Sequence, residues 1–344
     1  MKNKTFLIAV ALLFLAVGCD NTPKPESDPT SNPAKSALLS DYDMVLMEAG
    51  QLVFYDNASG ERLTFAAETD SVVNAVYASN NILYYSVGIE GNMVLKSLNL
   101  NETDPKPVKL ADWNVKVEEC HGIYPYVENL IMNEDETAVG LFNESVRFIA
   151  YSKLARYDIK TGEVKNEVMV EFNEETGEET YHAIDFAAKL PQPIKSDQFE
   201  SDGHGMLYYL DGSNGKTCLS DSLDYLYMFD AVPEDLVDEE IISEPVSFNP
   251  AKTKLLFISL VPWGDFGTGS YCVADLDGSH QKDLETDAFF KYPEWLKDGS
   301  LVYFHLAEGL FDIPLPEDYH TMIMTPDGNI KELSKSPNFT VKPL

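Results

Sequence analysis

Apolar and polar positions alternate in short stretches along most of the chain. From about residue 40, runs of four or five β-branched or aromatic residues are bounded by Asn, Asp, Gly or Pro, as at 52–55, 82–85, 255–258 and 301–304. Such runs are typical of β-strands separated by tight turns. The best helical stretch, residues 233–240, covers only about two turns. The pattern therefore predicts an all-β chain.

Two short motifs recur at a regular spacing. Tyr-Asp-x-x-Ser/Thr-Gly-Glu occupies 55–61 and returns at 157–163, an offset of 102 residues that equals two units of 51. Asp-Gly turns at 275–279 and 325–329 are 50 residues apart. Each motif predicts a hairpin, because Gly and Asp tolerate the positive φ of tight turns. A unit of about 45–55 residues with several short strands is typical of a β-propeller blade.

One of these units carries a more specific pattern. Residues 293–299 read Pro-x-Trp-x-x-Asp-Gly and lead into the apolar run 301–304. This segment resembles the repeat of TolB-like (WD40-like) β-propellers, although Leu-Lys stands where that family has Ser-Pro, and the preceding unit has Phe248 for the Trp. The resemblance is good over 245–335, whereas over 42–240 only the general pattern of short strands and turns matches. It implies a β-propeller of four-stranded blades. The stretch from residue 40 to 340, divided into units of about 50 residues, predicts six blades, with seven as the alternative count and a pair of β-sandwiches as the competing architecture.

The N-terminal residues have the pattern of an export signal. Two lysines precede the apolar run 6–17, and Ala16-Val17-Gly18 places small residues directly before Cys19. A membrane-spanning helix needs about 20 apolar residues, so this shorter run favours a cleaved signal peptide over a permanent anchor. The stretch resembles a bacterial lipoprotein signal with its lipobox, which implies that Cys19 becomes the lipidated first residue of the mature protein.

The predicted organisation has three parts, namely a signal peptide at 1–18, a lipidated cysteine with a proline-rich tether at 19–40, and a propeller at 41–344. Four prolines among polar residues keep the tether extended and without a core. We expect a monomeric body in the cell envelope, attached to the membrane only through the lipid on Cys19. The outer membrane or cell surface is favoured over the inner membrane, although Asp20 resembles the inner-membrane retention signal of enterobacteria.

The chain is strongly acidic. Its formal charge is −32, and loss of residues 1–18 with their two lysines makes it −34. Such a molecule lacks the basic surface that neutralises phosphates, so we expect no nucleic-acid partner. The acids are scattered along the chain, which favours a role in solubility over a dedicated cationic partner.

Three cysteines remain after lipidation of Cys19. Cys120, Cys218 and Cys272 allow at most one disulfide, and an export signal makes a disulfide chemically possible. Cys272 lies in an apolar run, which predicts a buried side chain that acts as a small hydrophobe.

Motifs for catalysis and metal binding are weak. Asp-x-Asp-Gly at 275–278 resembles the start of a calcium loop, but its Gly is fourth and Thr286 stands where a bidentate Glu belongs, so a hairpin turn is favoured. The six histidines lack zinc-site spacing, and residues 267–271 miss the G-x-S-x-G nucleophile motif. Carboxylate pairs from distant blades would leave no local signal. We predict no catalytic residue, no metal and no cofactor.

The better candidates for function are two connections between the second and third strands of their blades. One is the predicted loop 261–269, with Trp263, Asp265 and Phe266, and the other spans 305–319, with Phe311, Asp312 and Tyr319. Loops held by a rigid scaffold commonly carry binding residues. Exposed aromatic rings suit a sugar or a partner side chain, whereas rings that fold back would only plug the loop.

Three functional hypotheses follow. The favoured one is a non-catalytic lipoprotein that binds a protein or glycan partner through these loops. The alternative is a propeller enzyme, such as a glycan lyase, hydrolase or lactonase, with acids and histidines at the channel mouth. In the third, an acidic side surface binds a basic partner.

Overall fold

The computed structural model describes residues 38–116, 130–143, 153–168, 170–173, 176, 178–183, 186–187, 189, 194, 196–202, 205–212, 215–221, 242–263, 266–286, 292–306, 319–336 and 338–344. Residues 37–344 form one compact unit. The predicted signal peptide and residues 19–37 of the predicted tether, together with Cys120 and the helical stretch 233–240, lie outside the described residues. The last tether residues are described, and Leu39 and Ser40 are buried in the 3₁₀ turn Leu39–Asp41. No helix in the described part has the length and hydrophobicity that a membrane-spanning segment requires.

Six antiparallel sheets in the described chain are blades, which we number in chain order. Blade 1 contains β1 (Met44–Glu48), β2 (Gln51–Tyr55), β3 (Arg62–Thr64) and β25 (Phe339–Val341). Blade 2 contains β4 (Ser71–Tyr77), β5 (Ile82–Ile89), β6 (Asn92–Asn99) and β7 (Val108–Lys116). Blade 3 contains β8 (Leu130–Met132), β9 (Ala138–Asn143), β10 (Lys153–Asp158) and β11 (Val164–Val168).

The second half of the ring follows the same order. Blade 4 shows three described strands, β14 (Phe199–Ser201), β15 (Leu207–Leu210) and β16 (Lys216–Cys218). Blade 5 contains β17 (Ile242–Phe248), β18 (Lys254–Trp263), β19 (Phe266–Asp275) and β20 (Lys282–Asp283). Blade 6 contains β21 (Glu294–Trp295), β22 (Leu301–Leu306), β23 (Tyr319–Met324) and β24 (Ile330–Ser334). A separate hairpin, β12 (Val170–Asn173) with β13 (Glu178–Tyr181), follows blade 3.

Each four-stranded blade is a meander whose strands we letter A to D from the central axis outward. Strands β25, β4 and β8 pack against their neighbours and line one central cavity, which identifies them as A strands. The ring has six blades, as the repeat spacing predicts, and the sandwich alternative is wrong. Because the strands are antiparallel, A–B and C–D turns lie at one end of the ring, the A–B face. B–C turns and D–A connections lie at the other end, the B–C face.

The ring is closed by the pairing of β25 with β1. Met44 lies opposite Val341, and Leu46 lies opposite Phe339. The last strand along the chain therefore supplies strand A of the blade that contains the first three. Phe339 and Leu46 are both fully buried, so this closure is an apolar contact as well as a hydrogen-bonded one.

The hydrophobic core lies between adjacent blades. Among the described residues, five clusters of buried side chains fill the interfaces between blades 1 and 2, 2 and 3, 4 and 5, 5 and 6, and 6 and 1. Strand side chains alternate in direction, so each blade contributes to the cluster on either side. Representative members are Phe54, Trp113, Phe257, Tyr271 and Phe339.

The repeated Tyr-Asp-x-x-Ser/Thr-Gly-Glu motifs form equivalent C–D turns, which confirms the prediction. Asp56 Oδ1 accepts the backbone N–H groups two and three residues on, and Asp158 Oδ1 does the same. Gly60 and Gly162 have φ of +73° and +75°, which favours glycine at the close of each turn. The two turns are two blades apart, as an offset of twice 51 residues requires.

The Trp and Asp-Gly of the 293–299 motif connect blade 6 to both of its neighbours. Trp295 Nε1 donates to Ser247 Oγ of blade 5 at 3.1 Å. The Asp298 carboxylate caps the A–B turn through the backbone N–H of Ser300 and accepts a 2.7 Å bond from Asn57 Nδ2 of blade 1. The motif therefore fixes the angle between blades, which is a structural role.

Candidate functional site

The described candidate residues lie at the B–C ends of blades 5 and 6. Trp263 ends β18 and Phe266 begins β19, and the two are the last register pair of that hairpin. Tyr319 begins β23 opposite Leu306, the last residue of β22. Blades 5 and 6 are neighbours, so the backbone positions of Trp263, Phe266 and Tyr319 lie on one face of the ring. Asp265, Phe311 and Asp312 lie outside the described residues.

The prediction of a loop over 261–269 is wrong in its bounds, because residues 261–263 belong to β18 and residues 266–269 belong to β19. Strands β18 and β19 are ten residues long each, and only two residues separate them. Pro262 lies within β18 and is the register partner of Gly267 in β19. The described pairing of β17 with β18 extends from Phe248 opposite Leu255 to Ile242 opposite Leu260. The result is a long hairpin with its tip on the B–C face.

Near the B–C end of its second and third strands, blade 6 carries a pair of histidines. His305 of β22 and His320 of β23 are register partners, one pair before Leu306 and Tyr319. His305 Nδ1 lies 3.1 Å from the backbone oxygen of Glu285, and His320 Nδ1 lies 2.9 Å from Glu332 Oε2. Both imidazoles are thus oriented by oxygen acceptors on neighbouring segments.

The D–A connection of blade 5 packs against the same region. The Ser270 hydroxyl donates to Asp283 and accepts the backbone N–H of Thr286 at 3.1 Å. Burial raises the pKa of Asp283, while the Ser270 hydroxyl and the Glu285 backbone N–H oppose that shift. Burial, with the charge of Glu285, also raises the pKa of Tyr303. Sequence reasoning missed this cluster, because its members come from three strands and one connection.

A cavity of about 420 Å³ occupies the centre of the ring. Its wall comes mainly from A strands, including 74–77, 130–132 and 338–341, and most lining side chains are apolar. Lys189 and Glu294 are the charged residues in the wall. The described part of the wall therefore contains one basic residue, one acidic residue and no histidine. The enzyme hypothesis instead predicts clustered acids and histidines there.

Lys189 belongs to an ionic contact at the A–B face. Its ammonium group donates to Glu136, which also accepts the backbone N–H and hydroxyl of Ser79. Burial works against the charged form of Glu136, but the Lys189 and Ser79 hydrogen bonds outweigh it and lower its pKa. Backbone bonds from Glu134 to Ala187 and from Lys189 to Met132, 2.8 Å each, hold the same segment along β8. This contact joins the turns of blades 2 and 3.

The side chains of the turn at 275–280, where the sequence resembles the start of a calcium loop, make structural contacts. Ser279 Oγ and Asp275 Oδ2 both contact Nδ1 of His280, at 3.2 and 2.9 Å. A serine–histidine–aspartate relay needs both ring nitrogens, so this turn cannot pass a proton along that route. Asp275 also pairs with the ammonium group of Lys254, which favours the hairpin-turn interpretation over a calcium loop.

Metal clusters and disulfides are absent from the described residues. No group of three or more His, Cys, Asp or Glu side chains there is arranged to hold one metal ion. Cys218 and Cys272 are unpaired thiols in that part of the chain, and Cys272 is buried as predicted. Burial raises the pKa of the Cys272 thiol well above its usual value, so that thiol is unreactive.

No protein-family model matches the sequence, and no curated protein matches it. Among solved structures, the chain is similar to TolB from Acinetobacter baumannii, with 10% identity and a TM-score of 0.41 over 90% of this chain and 68% of that one. The β-propeller domain of the Trilobed protease from Pyrococcus furiosus matches 85% of this chain and 78% of that one, with 12% identity and a TM-score of 0.29. An oligogalacturonate lyase in complex with manganese matches 84% and 86%, with 12% identity and a TM-score of 0.33. At such values the architecture rests on the strand topology, which is that of an all-β, six-bladed propeller.

Proposed function

We propose that the chain is an envelope-anchored, non-catalytic lipoprotein whose propeller binds a protein or glycan partner through its B–C face. The signal peptide at 1–18 directs export, Cys19 carries the lipid, and the tether at 19–40 holds a monomeric propeller, 41–344, away from the bilayer. The outer membrane or the cell surface is the proposed location.

The observation that carries the binding role is the convergence of candidate positions on one face. Trp263 and Phe266 end the longest hairpin of the described chain, and Tyr319 begins the corresponding strand of the next blade. The hairpin of blade 2 at the same face has strands of eight residues, compared with ten in blade 5. Aromatic residues in such positions supply large contact area at low entropic cost, as protein and glycan recognition require.

A photo-crosslinking experiment in intact cells tests this face. A photoreactive phenylalanine analogue replaces Trp263, Phe266 or Tyr319 in separate variants. Matched controls carry it at Leu63 or Val108, which are exposed apolar residues on the outer strands β3 and β7. We expect a discrete adduct from the B–C positions and none from the outer strands. A glycan array probed with the same protein, with and without Trp263→Ala and Phe266→Ala, covers partners that do not crosslink.

Adducts of equal yield from all five positions would contradict a specific face. The proposal would also fail if the B–C positions gave no adduct and the array showed no glycan that depends on Trp263 and Phe266. Retained far-ultraviolet circular dichroism in each variant separates a lost contact from a lost fold.

A further inference from the structure

The structure shows that His305 and His320 form a cross-strand pair, although they are 15 residues apart in sequence. Residues directly opposite each other in an antiparallel pair point to the same face, with Cβ atoms about 5 Å apart. Their neighbours along the strands, Tyr303 and Met322, belong to the cluster between blades 5 and 6. Both imidazoles therefore project toward blade 5, just below the B–C face.

The hydrogen bonds of the pair determine which ring nitrogen carries the proton. The backbone oxygen of Glu285 can only accept, so His305 Nδ1 must donate to it. The carboxylate of Glu332 likewise accepts from His320 Nδ1. In the neutral tautomers that result, Nε2 of each ring presents a lone pair.

This arrangement is the outer shell that metal-binding histidines typically have. A ligating imidazole donates its other N–H to a carboxylate or a backbone carbonyl, which orients the ring and raises its basicity. Here one histidine has the carbonyl and its partner has the carboxylate. Two nearby acids, Glu285 and Glu332, add a negative potential that attracts a cation.

We propose that His305 and His320 bind one late transition-metal ion, such as Zn²⁺, Ni²⁺ or Cu²⁺, through their Nε2 atoms. Imidazole is a preferred ligand of these ions. The described residues provide no third His, Cys, Asp or Glu ligand, so water or a group of a bound partner fills the remaining positions. The site goes beyond the proposed partner-binding role, and it lies one register pair below Tyr319.

Titration calorimetry of the full-length protein in detergent, with ZnCl₂ or NiCl₂, tests the site. We expect one saturable ion for the wild type and loss of that binding in His305→Gln and in His320→Gln. His280→Gln is the matched control, because that exposed histidine also bonds an aspartate through Nδ1 but has no opposed histidine. Glu332→Gln should weaken binding by about tenfold, since it removes the carboxylate that orients His320.

The Cu²⁺ form of the wild type gives a second readout that does not depend on any variant. Its electron paramagnetic resonance spectrum should show coupling to two imidazole nitrogens. Wild-type affinity in either His305→Gln or His320→Gln would overturn the proposal, and so would equal losses in those variants and in His280→Gln. A Cu²⁺ spectrum without two equivalent nitrogen couplings would overturn it as well.

Discussion

At the scale of single residues, the blade 1–2 interface holds a nearly buried ionic network. Lys96 Nζ lies 2.9 and 3.1 Å from the two oxygens of Glu68. Asp70 pairs with the same ammonium group, and Tyr85 donates to Glu68 at 2.7 Å. The Glu68 and Lys96 side chains are only 2% and 11% exposed. Each charged group here has a partner of opposite charge, which offsets the free-energy cost of removing it from water.

Replacement of Lys96 by Met should destabilise the protein strongly. It leaves Glu68 and Asp70 without their cation, and removal of one partner of a buried pair costs about 3 kcal/mol or more. The exposed pair of Lys106 with Asp104 is the matched control, and Lys106→Met should change the free energy of unfolding by less than about 0.5 kcal/mol. Urea denaturation of both variants checks this. Similar effects of the two substitutions would contradict the role of burial.

The same network predicts how stability depends on pH. Burial alone would lower the pKa of Lys96, but hydrogen bonds to Asp70 and Glu68 raise it overall. A group whose pKa is raised on folding stabilises the folded state fully at pH values below its pKa in the unfolded chain, which is about 10.4 for lysine. This stabilisation is lost as the pH rises through the pKa of the group in the folded state. We therefore expect the Lys96→Met penalty to be constant from pH 7 to pH 9 and to shrink above about pH 10.4. A penalty independent of alkaline pH would be inconsistent with the charge of Lys96 as its cause.

At the scale of secondary-structure elements, β25 is the strand on which ring closure depends. Phe339 is fully buried, whereas Leu344, three residues after the strand, is 73% exposed. Phe339→Ala should lower the free energy of unfolding by about 3–5 kcal/mol, as for other buried phenylalanines, while Leu344→Ala should have no measurable effect. Calorimetric unfolding of the two variants compares them. A small loss for Phe339→Ala would mean that blade 1 is stable without an apolar closure.

Individual elements also show what the sequence can and cannot predict. The apolar run 301–304 lies inside β22, and the Tyr-Asp motifs form the predicted turns, since both signals are local. The B–C hairpin of blade 5 was predicted as a loop because Pro262 and three glycines up to Gly269 suggest one. These positions are strand because β18 and β19 stay paired as far as Trp263 and Phe266, and local turn signals do not report such pairing.

The histidine pair shows even more clearly that local sequence signals do not report contacts between strands. His305 and His320 carry no recognisable spacing, because strand register, rather than distance along the chain, brings them together. The aromatic residues and glycines of these segments indicate Trp263, Phe266 and Tyr319 as candidates, and the repeat predicts their placement on adjacent blades. The roles of these three residues, and of Asp265, Phe311 and Asp312, stay predictions.

At the scale of the whole molecule, the proposed lipid on Cys19 determines where the propeller acts. Cys19→Ser should abolish lipidation while leaving the propeller folded, because residues 37–344 form a compact unit of their own. Metabolic labelling with a palmitate analogue, followed by membrane fractionation, measures the change. We expect the label to disappear and the protein to move from the membrane to the soluble fraction, with Cys218→Ser as an unaffected control. Labelling that persists in Cys19→Ser would contradict the lipobox interpretation.

The closure of the ring also constrains the order in which the molecule can mature. Met44 is paired with Val341, about 300 residues later in the chain. Because synthesis starts at the N-terminus, the edge of β1 that pairs with β25 stays open until the rest of the propeller has been made. Long-range pairing of this kind is slow and exposes the chain to aggregation. The short length of β1, five residues, limits that exposed edge during the interval, so the blade that forms first is also the one completed last.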